Sequence, residues 1–374
     1  MSDSYWLEES APTLLSTALE GSPDVEIVGG GVTGCSCALA LARAGLRVRL
    51  RDARTIAGGA SGRNGGFALR GGAMPYQSAR EWLGPDTAAE YWRLTETYVD
   101  RMEELGGDAF TRTGSLRLAG DDERAELLAE YEALIEDGFA AEWRDDLPDP
   151  LAGRFQGALF HPDDAVLQPA RLVRRLAASA AIAGIEIREH DRVDDLDGLE
   201  APTVVVATDG YPSGLLGELE GLIIPTRGQM LATEPLEERL FPLPHYGRHG
   251  FDYWHQNDEG RLIVGGFRDA DMDSEFTAAE ATTEKIQRAL DGFVESLLGR
   301  RPAITHRWAG VFGLVPDLMP VVGPVPGRDG LWLAGGYSGH GNVLGLMCGE
   351  LVAKAITGDE HPVLEHMAPA RLLA

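Results

Sequence analysis

The chain has 374 residues, 44% hydrophobic and 25% charged, an ordinary globular balance with room for two domains. Its 33 basic and 59 acidic residues give a net charge of −26, which excludes the basic footprint of a nucleic-acid binder and argues against anionic membrane surfaces. Three cysteines, Cys35, Cys37 and Cys348, cannot build a metal quartet, so no metal site is expected.

No apolar run approaches the roughly 18 residues of a membrane span. The first 20 residues carry Asp3, Glu8, Glu9 and Glu20 and no Lys or Arg, unlike a secretory signal. Buried thiols in a reducing cytoplasm are the expectation. The acidic surface fits solubility, and it also fits steering of cationic substrates.

In chain order, Val25-Glu26-Ile27-Val28 is a predicted strand that runs into Gly29-Gly30-Gly31-Val32-Thr33-Gly34. A helix of small residues follows, and a second strand ends at Asp52. This is G-x-G-x-x-G in the context that dinucleotide binding requires. Gly29 allows the tight turn, Gly31 lets backbone approach a pyrophosphate, and Gly34 lets the helix pack on the sheet. The helix N-terminus offers N–H groups to phosphate. Asp52 sits where a carboxylate accepts from ribose hydroxyls.

Gly59-Ala60-Ser61-Gly62-Arg63-Asn64-Gly65-Gly66 is a second glycine-rich loop, suited to close approach of a flat ligand. The spacing then predicts a helix over 82–105, a strand at 114–119, a helix at 121–137 and a strand near 157–160. A helix over 169–183 opens on Pro169, and strands at 185–187 and 204–207 extend the nucleotide-binding sheet. From about 225 to 311 the pattern is mainly β, with strands at 227–233, 250–257, 261–266 and 304–311 around a helix at 278–297. Asp258-Glu259-Gly260 marks a hairpin turn. A buried strand at 331–336 leads through Gly335-Gly336-Tyr337-Ser338-Gly339-His340-Gly341-Asn342 into a closing helix at 342–356.

Taken together, these elements resemble the D-amino-acid oxidase, glycine oxidase and sarcosine oxidase family of FAD-dependent amine and amino-acid oxidoreductases. GASGRNGG and GYSGHG are most similar to the γ-glutamylputrescine oxidase branch. The likeness spans essentially the whole chain. It includes Val204–Gly210 (VVVATDG), and Trp308-Ala309-Gly310 followed by Pro316-Asp317 and Pro320-Val321-Val322-Gly323. These motifs together point to FAD rather than NAD.

The resemblance implies an α/β (α+β) fold: a Rossmann-type FAD-binding domain from 22–85, 150–225 and 318–374, interleaved with a mixed β-sheet substrate domain from 86–149 and 226–317. It implies that Gly29, Gly31, Val32, Thr33, Gly34, Asp52, Ala53 and Arg54 serve the ADP half, with Val193 at the adenine. Ala60, Ser61, Arg63, Asn64, Gly65 and Gly66 would follow the pyrophosphate toward the ring. Ala207, Thr208, Gly210, Gly313, Gly339, His340, Gly341 and Asn342 would lie about the flavin. The last helix N-terminus would favour the negative charge of a reduced flavin.

Three departures from the family pattern bear on the chemistry. Amino-acid oxidases often carry an Arg just after the Trp308-Ala309-Gly310 element, to clamp a carboxylate. Here Val311-Phe312-Gly313 stands there, which turns the expectation toward amines, although Arg227, Arg248 or Arg268 could substitute. No Cys lies between Cys37 and Cys348, so the FAD is expected to be non-covalent. The hairpin strand 261–266 has no Lys to activate oxygen, a charge that Arg63 or His340 could supply.

Arg63, Tyr253, His255, Phe312 and His340 are the candidate catalytic and pocket residues. Tyr253 and His255 share one strand face, and both a pocket wall and core packing fit them. Tyr337 similarly fits a place beside the flavin or in the core. The expected reaction oxidises a primary or secondary amine at its C–N bond by hydride transfer to flavin N5. Water hydrolyses the imine, and O2 is reduced to H2O2. The rivals are a flavin dehydrogenase of an amino acid or 2-hydroxy acid, and a flavin-binding subunit without turnover.

Overall fold

The computed structural model describes residues 4–211 and 214–373; Asp3 and Ala374 lie outside the described residues. Val25–Val28 is buried at all four positions, as a strand covered on both faces must be. It pairs in parallel with Val48–Arg51 on one side and Thr203–Val206 on the other. Glu186–Arg188 extends the sheet beyond the first neighbour, and Leu331–Gly335 beyond the second, both in parallel. Val321–Pro324 closes that edge antiparallel, giving six strands. Chain order reverses at Val25–Val28, and a crevice opens at the carboxyl end of such a strand.

The helix Val32–Arg43 packs on this sheet against Pro169–Ile182 and Gly341–Ile356. Its approach is fixed by the absence of two side chains. A Cβ on Gly34 would stand 1.8 Å from the Gly29 carbonyl oxygen. A Cβ on Gly349 would stand 2.4 Å from the Thr33 carbonyl oxygen. Cys35, Cys37 and Cys348 are all buried in this helix layer.

An eight-stranded mixed sheet supplies the other half, in the order 304–314, 224–235, 261–266, 252–256, 245–247, 115–118, 158–161, 142–144. Its pairs are antiparallel except for His245–Gly247 against Ser115–Leu118. Ala158–His161, expected with the FAD-binding segments, pairs in this sheet. A three-stranded sheet joins Phe67–Ala68, Ala165–Leu167 and Phe110–Arg112.

Two predicted helices differ from the structure. The single helix at 82–105 is two, Tyr76–Leu83 and Pro85–Gly106. Gly84, at φ +84°, and the ring of Pro85 break it, because Pro starts a helix but cannot continue one. The helix expected at 278–297 runs from Glu284 to Leu298. The residues before it are drawn out, and Glu280 reaches across to Arg54 at 2.7 Å.

Candidate active site

A cavity of about 330 Å³ is lined on one side by the loops and helix starts that follow the strands of the six-stranded sheet, and on the other by strands of the eight-stranded sheet. One wall is mostly backbone. Gly31, Val32 and Thr33 open the first helix there, and Gly341, Asn342 and Val343 open the last. Ala60, Ser61, Arg63, Asn64 and Gly65 of the second glycine loop line it, with Ala207, Gly339 and His340. The N-terminal ends of two helices make this wall attractive to negative charge.

Side chains lock these loops together. The Val32 N–H donates to Ser61 Oγ at 3.0 Å. Asn64 and Asn342 exchange side-chain hydrogen bonds, each 3.1 Å, and Asn342 Nδ2 also donates to the Phe67 carbonyl at 2.8 Å. Trp308 Nε1 donates to the Arg63 carbonyl at 2.8 Å. The Arg63 guanidinium in turn donates to the carbonyls of Gly58 (2.9 Å) and Ala309 (3.2 Å), tying the loop to the long strand Ile304–Leu314.

The remaining nucleotide-side candidates stand behind this surface. Gly29 and Gly34 form the strand–helix contact already described. Asp52 accepts from the Gly30 and Arg54 N–H groups, both at 2.6 Å. Burial pushes its carboxyl up, and those two hydrogen bonds pull it down. Ala53 is exposed, while the Arg54 guanidinium lies 4.8 Å over the Tyr211 ring and is paired with Glu280. Val193 is buried among Val28, Val204 and Val206. Gly66, Thr208, Gly210 and Gly313 do not line the cavity. A Cβ on Gly210 would meet the Phe312 carbonyl oxygen at 2.5 Å, and one on Gly66 the Leu167 carbonyl oxygen at 2.6 Å.

The opposite wall is made of side chains from the eight-stranded sheet. Tyr253 and Phe312 line it, with Met230 and Tyr246. Tyr253 packs edge-on to Phe67 with centroids 6.0 Å apart, and burial pushes its hydroxyl up to about 12. His255 shares that strand face but does not line the cavity. Its Nε2 meets the Gly65 carbonyl at 3.0 Å, its ring lies parallel to Trp6, and burial lowers its pKa to about 4. His340 is likewise neutral, lowered to about 4 by burial, and its Nδ1 has no hydrogen-bond partner. Tyr337 both lines the cavity and hydrogen-bonds to Thr33 at 2.9 Å.

Sequence reasoning missed several lining residues. Asp209 sits inside the VVVATDG element, yet only its neighbours were candidates. It accepts from the Gly313 (3.0 Å) and Gly336 (2.8 Å) N–H groups, joining three chain segments under the cavity. Tyr246 lies on a three-residue strand, too short to show alternation, and faces His340 edge-on at 6.0 Å. His249 sits in a left-handed turn at φ +51° between Arg248 at +47° and Gly250 at +85°.

Of the three arginines that could replace a clamp, two are committed. Arg227 pairs with the buried Glu275 at 2.7 and 2.9 Å. Arg248 pairs with Asp252 and Asp269. Arg268 lines the cavity. A second chamber of about 220 Å³ adjoins the first at Leu69, Ala73, Tyr246, His249, Leu318 and His340. Two charge pairs line it, Arg70 with Glu96 at 2.6 Å and Arg117 with Glu130, and Glu126 faces His249 Nδ1 at 3.7 Å. Asp164, raised to about 6 by burial, accepts from the Arg70 N–H and from Ser115 Oγ.

This donor set fits FAD. Two glycine loops and two helix starts converge on one cavity, and Asp209 is the only carboxylate among the described lining residues. No cysteine lines the cavity, so no thiol stands ready to tether a flavin. No described helix is long and apolar enough to cross a membrane.

The family described as FAD dependent oxidoreductase matches residues 24–355. The chain is 27% identical to a gamma-glutamylputrescine oxidoreductase of Escherichia coli, covering 90% of this chain and 84% of that protein. It is 28% identical to a glycine oxidase of Pseudomonas aeruginosa, covering 92% and 97%. The crystal structure of glycine oxidase from Geobacillus kaustophilus superimposes with a TM-score of 0.75 at 24% identity, covering 92% and 96%.

Proposed function

We propose that this chain, which belongs to the FAD-dependent oxidoreductase family, oxidises the C–N bond of a primary or secondary amine. FAD is its cofactor. When bound, FAD would supply the acceptor for a hydride from the carbon next to the amine nitrogen, and O2 would take the two electrons on to H2O2. The imine product is hydrolysed by water. In this reading the backbone wall holds the cofactor: Gly31, Val32 and Ser61 at the pyrophosphate, Arg63, Asn64 and Gly65 toward the ring, and Gly339, His340, Gly341 and Asn342 at its edge.

One observation carries the proposal. Opposite its backbone wall the cavity is lined by aromatic and aliphatic side chains, and Asp209 and His340 are not poised as an acid–base pair. Asp209 is engaged by backbone N–H groups, and His340 is neutral. Hydride loss from a neutral amine needs orientation and exclusion of water more than proton transfer. Tyr253, Phe312 and Met230 keep water from the reacting carbon.

The test is an anaerobic panel of amines, amino acids and 2-hydroxy acids, followed by the flavin's visible absorbance. Amines should bleach it, and air should restore it with one peroxide per turnover. Bleaching without peroxide under air would move the assignment to a dehydrogenase. No bleaching by any member would leave a flavin-binding subunit as the better reading.

A further inference from the structure

We infer that Ser4 and Trp6 are positioning residues for the flavin: from behind the cavity they hold the second glycine loop so that it presents N–H groups, and not carbonyls, to the cofactor. This requires FAD as the cofactor and is independent of which substrate is oxidised.

Gly62, Arg63, Asn64, Gly65 and Gly66 follow one another along that loop, and the carbonyl of each is occupied. Ser4 Oγ donates to Gly62, Trp308 Nε1 to Arg63 and Trp6 Nε1 to Asn64, all at 2.8 Å. His255 Nε2 meets the Gly65 carbonyl at 3.0 Å, and the Leu167 N–H donates to Gly66 at 2.7 Å. None of these five partners lines the cavity, whereas Arg63, Asn64 and Gly65 do. The loop therefore keeps its carbonyls to the rear. In a trans peptide the carbonyl and the next N–H point in opposite directions. The Trp6 bond to the Asn64 carbonyl thus turns the Gly65 N–H forward, and that N–H donates to no described residue.

The loop does not reach this arrangement unaided. Residues 59–66 contain four glycines, a stretch with wide conformational freedom, and four of its five carbonyl partners are side chains from elsewhere. Trp6 lies in a single 3-10 turn, Tyr5–Leu7, ahead of the first strand, and is 2% exposed. Both halves of the fold anchor that turn. Gln168 Nε2 donates to the Trp6 carbonyl at 3.1 Å, and Arg174 to the Glu9 carbonyl at 2.6 Å. From the eight-stranded sheet, Asn257 Nδ2 donates to Tyr5 Oη at 2.8 Å, and the His255 ring lies parallel to Trp6 at 6.2 Å. The turn also fits closely against the loop's glycines. A Cβ on Gly66 would stand 3.3 Å from the Trp6 ring, and one on Gly62 2.8 Å from Leu7.

A reduced flavin carries added negative charge, which a peptide N–H favours and a carbonyl opposes. Without the indole N–H the Asn64 carbonyl loses its partner, and the glycine beside it lets that peptide rotate toward the cavity.

The experiment compares Trp6→Phe, which keeps a ring and removes only the N–H, with wild type and with Tyr5→Phe. The midpoint potential of bound flavin is measured against a reference dye, and the FAD dissociation constant by fluorescence titration of apoprotein. Trp6→Phe should give a more negative potential and roughly fivefold weaker FAD binding, the weight of one hydrogen bond. Tyr5→Phe loses a bond of the same turn but frees no loop carbonyl, so it should keep both wild-type values. Ser4→Ala frees the Gly62 carbonyl and should move both quantities the same way by less, with Ser4→Thr restoring them. A potential in Trp6→Phe that is unchanged, more positive or matched by Tyr5→Phe overturns the inference and leaves Trp6 a packing residue. If Trp6→Phe retains no FAD, Ser4→Ala decides, and wild-type values there overturn it. The potential is measured without substrate, so failure of the amine panel leaves this test standing.

Discussion

The two walls of the cavity are built from different materials. The nucleotide-side wall is backbone: helix starts, glycine loops and N–H groups whose positions follow from a few residues adjacent in sequence. The β-sheet wall is side chains: Tyr253, Phe312, Met230 and Arg268 reach it from four stretches of chain. Directly behind the first wall almost no added atom fits, because a Cβ on Gly29, Gly34 or Gly210 meets a peptide carbonyl at 2.5 Å or less. The second tolerates substitution but sets what can bind. The difference implies that cofactor loading and substrate choice should fail separately.

The largest effect is expected directly behind the backbone wall, where the first helix meets the sheet. Gly34→Val would force side-chain carbon against the Gly29 carbonyl, where even a Cβ stands at 1.8 Å. Purified variant should contain almost no FAD and lack a cooperative thermal transition, by flavin content and circular dichroism. Wild-type FAD content would break the comparison at its root.

Asp52→Ala comes next. It removes two hydrogen bonds of 2.6 Å to backbone N–H groups, each worth about 1.5–3 kcal/mol. FAD affinity should fall at least about tenfold by fluorescence titration, with turnover returning in excess FAD. Loss of turnover that FAD cannot restore would mean that the two walls are coupled.

On the side-chain wall, Phe312→Ala should keep its FAD and lose kcat/KM by roughly tenfold, since the cavity is opened and Arg268 loses an aromatic support. Loss of FAD instead would show that the side-chain wall also holds the cofactor.

The smallest effect at neutral pH is expected at the seam, where His255 meets the Gly65 carbonyl. Burial lowers the His255 pKa from 6.5 to about 4. The unfolded chain therefore binds the proton first, and folding stability is complete above about pH 6.5 and falls as pH drops toward 4. This histidine contributes about 1.4 kcal/mol per pH unit across that window. His255→Gln should flatten the acid limb of a stability–pH curve, measured by thermal unfolding, and change little at pH 8. An unchanged acid limb would show that His255 takes up no proton differentially.

Much of the nucleotide side was legible because its signals are local. A strand, G-x-G-x-x-G, a small-residue helix and Asp52 lie within 28 consecutive residues, and Gly34 answers to a contact with Gly29 inside them. Strand alternation correctly put Tyr253 and His255 on one face, and the Phe67 ring touches both. Alternation could not say that Trp6 and the Gly65 carbonyl cover His255, because those groups come from distant parts of the chain. The helix at 82–105 was read through Gly84-Pro85 because the apolar spacing continues across the break.

By itself, the sequence determined the family, the FAD fingerprint, the three glycine-rich turns and the absence of a cysteine near the ring. These are properties of short segments, where backbone sterics and hydrogen bonding leave few choices. Only the tertiary structure decided which side chains meet across the cavity. In sequence, Val311-Phe312-Gly313 reads as a missing clamp. In space, the Phe312 ring lies beside a guanidinium brought by a left-handed turn more than forty residues earlier in the chain. A motif position does not by itself say what surrounds it, because the sheet brings its neighbours from other strands.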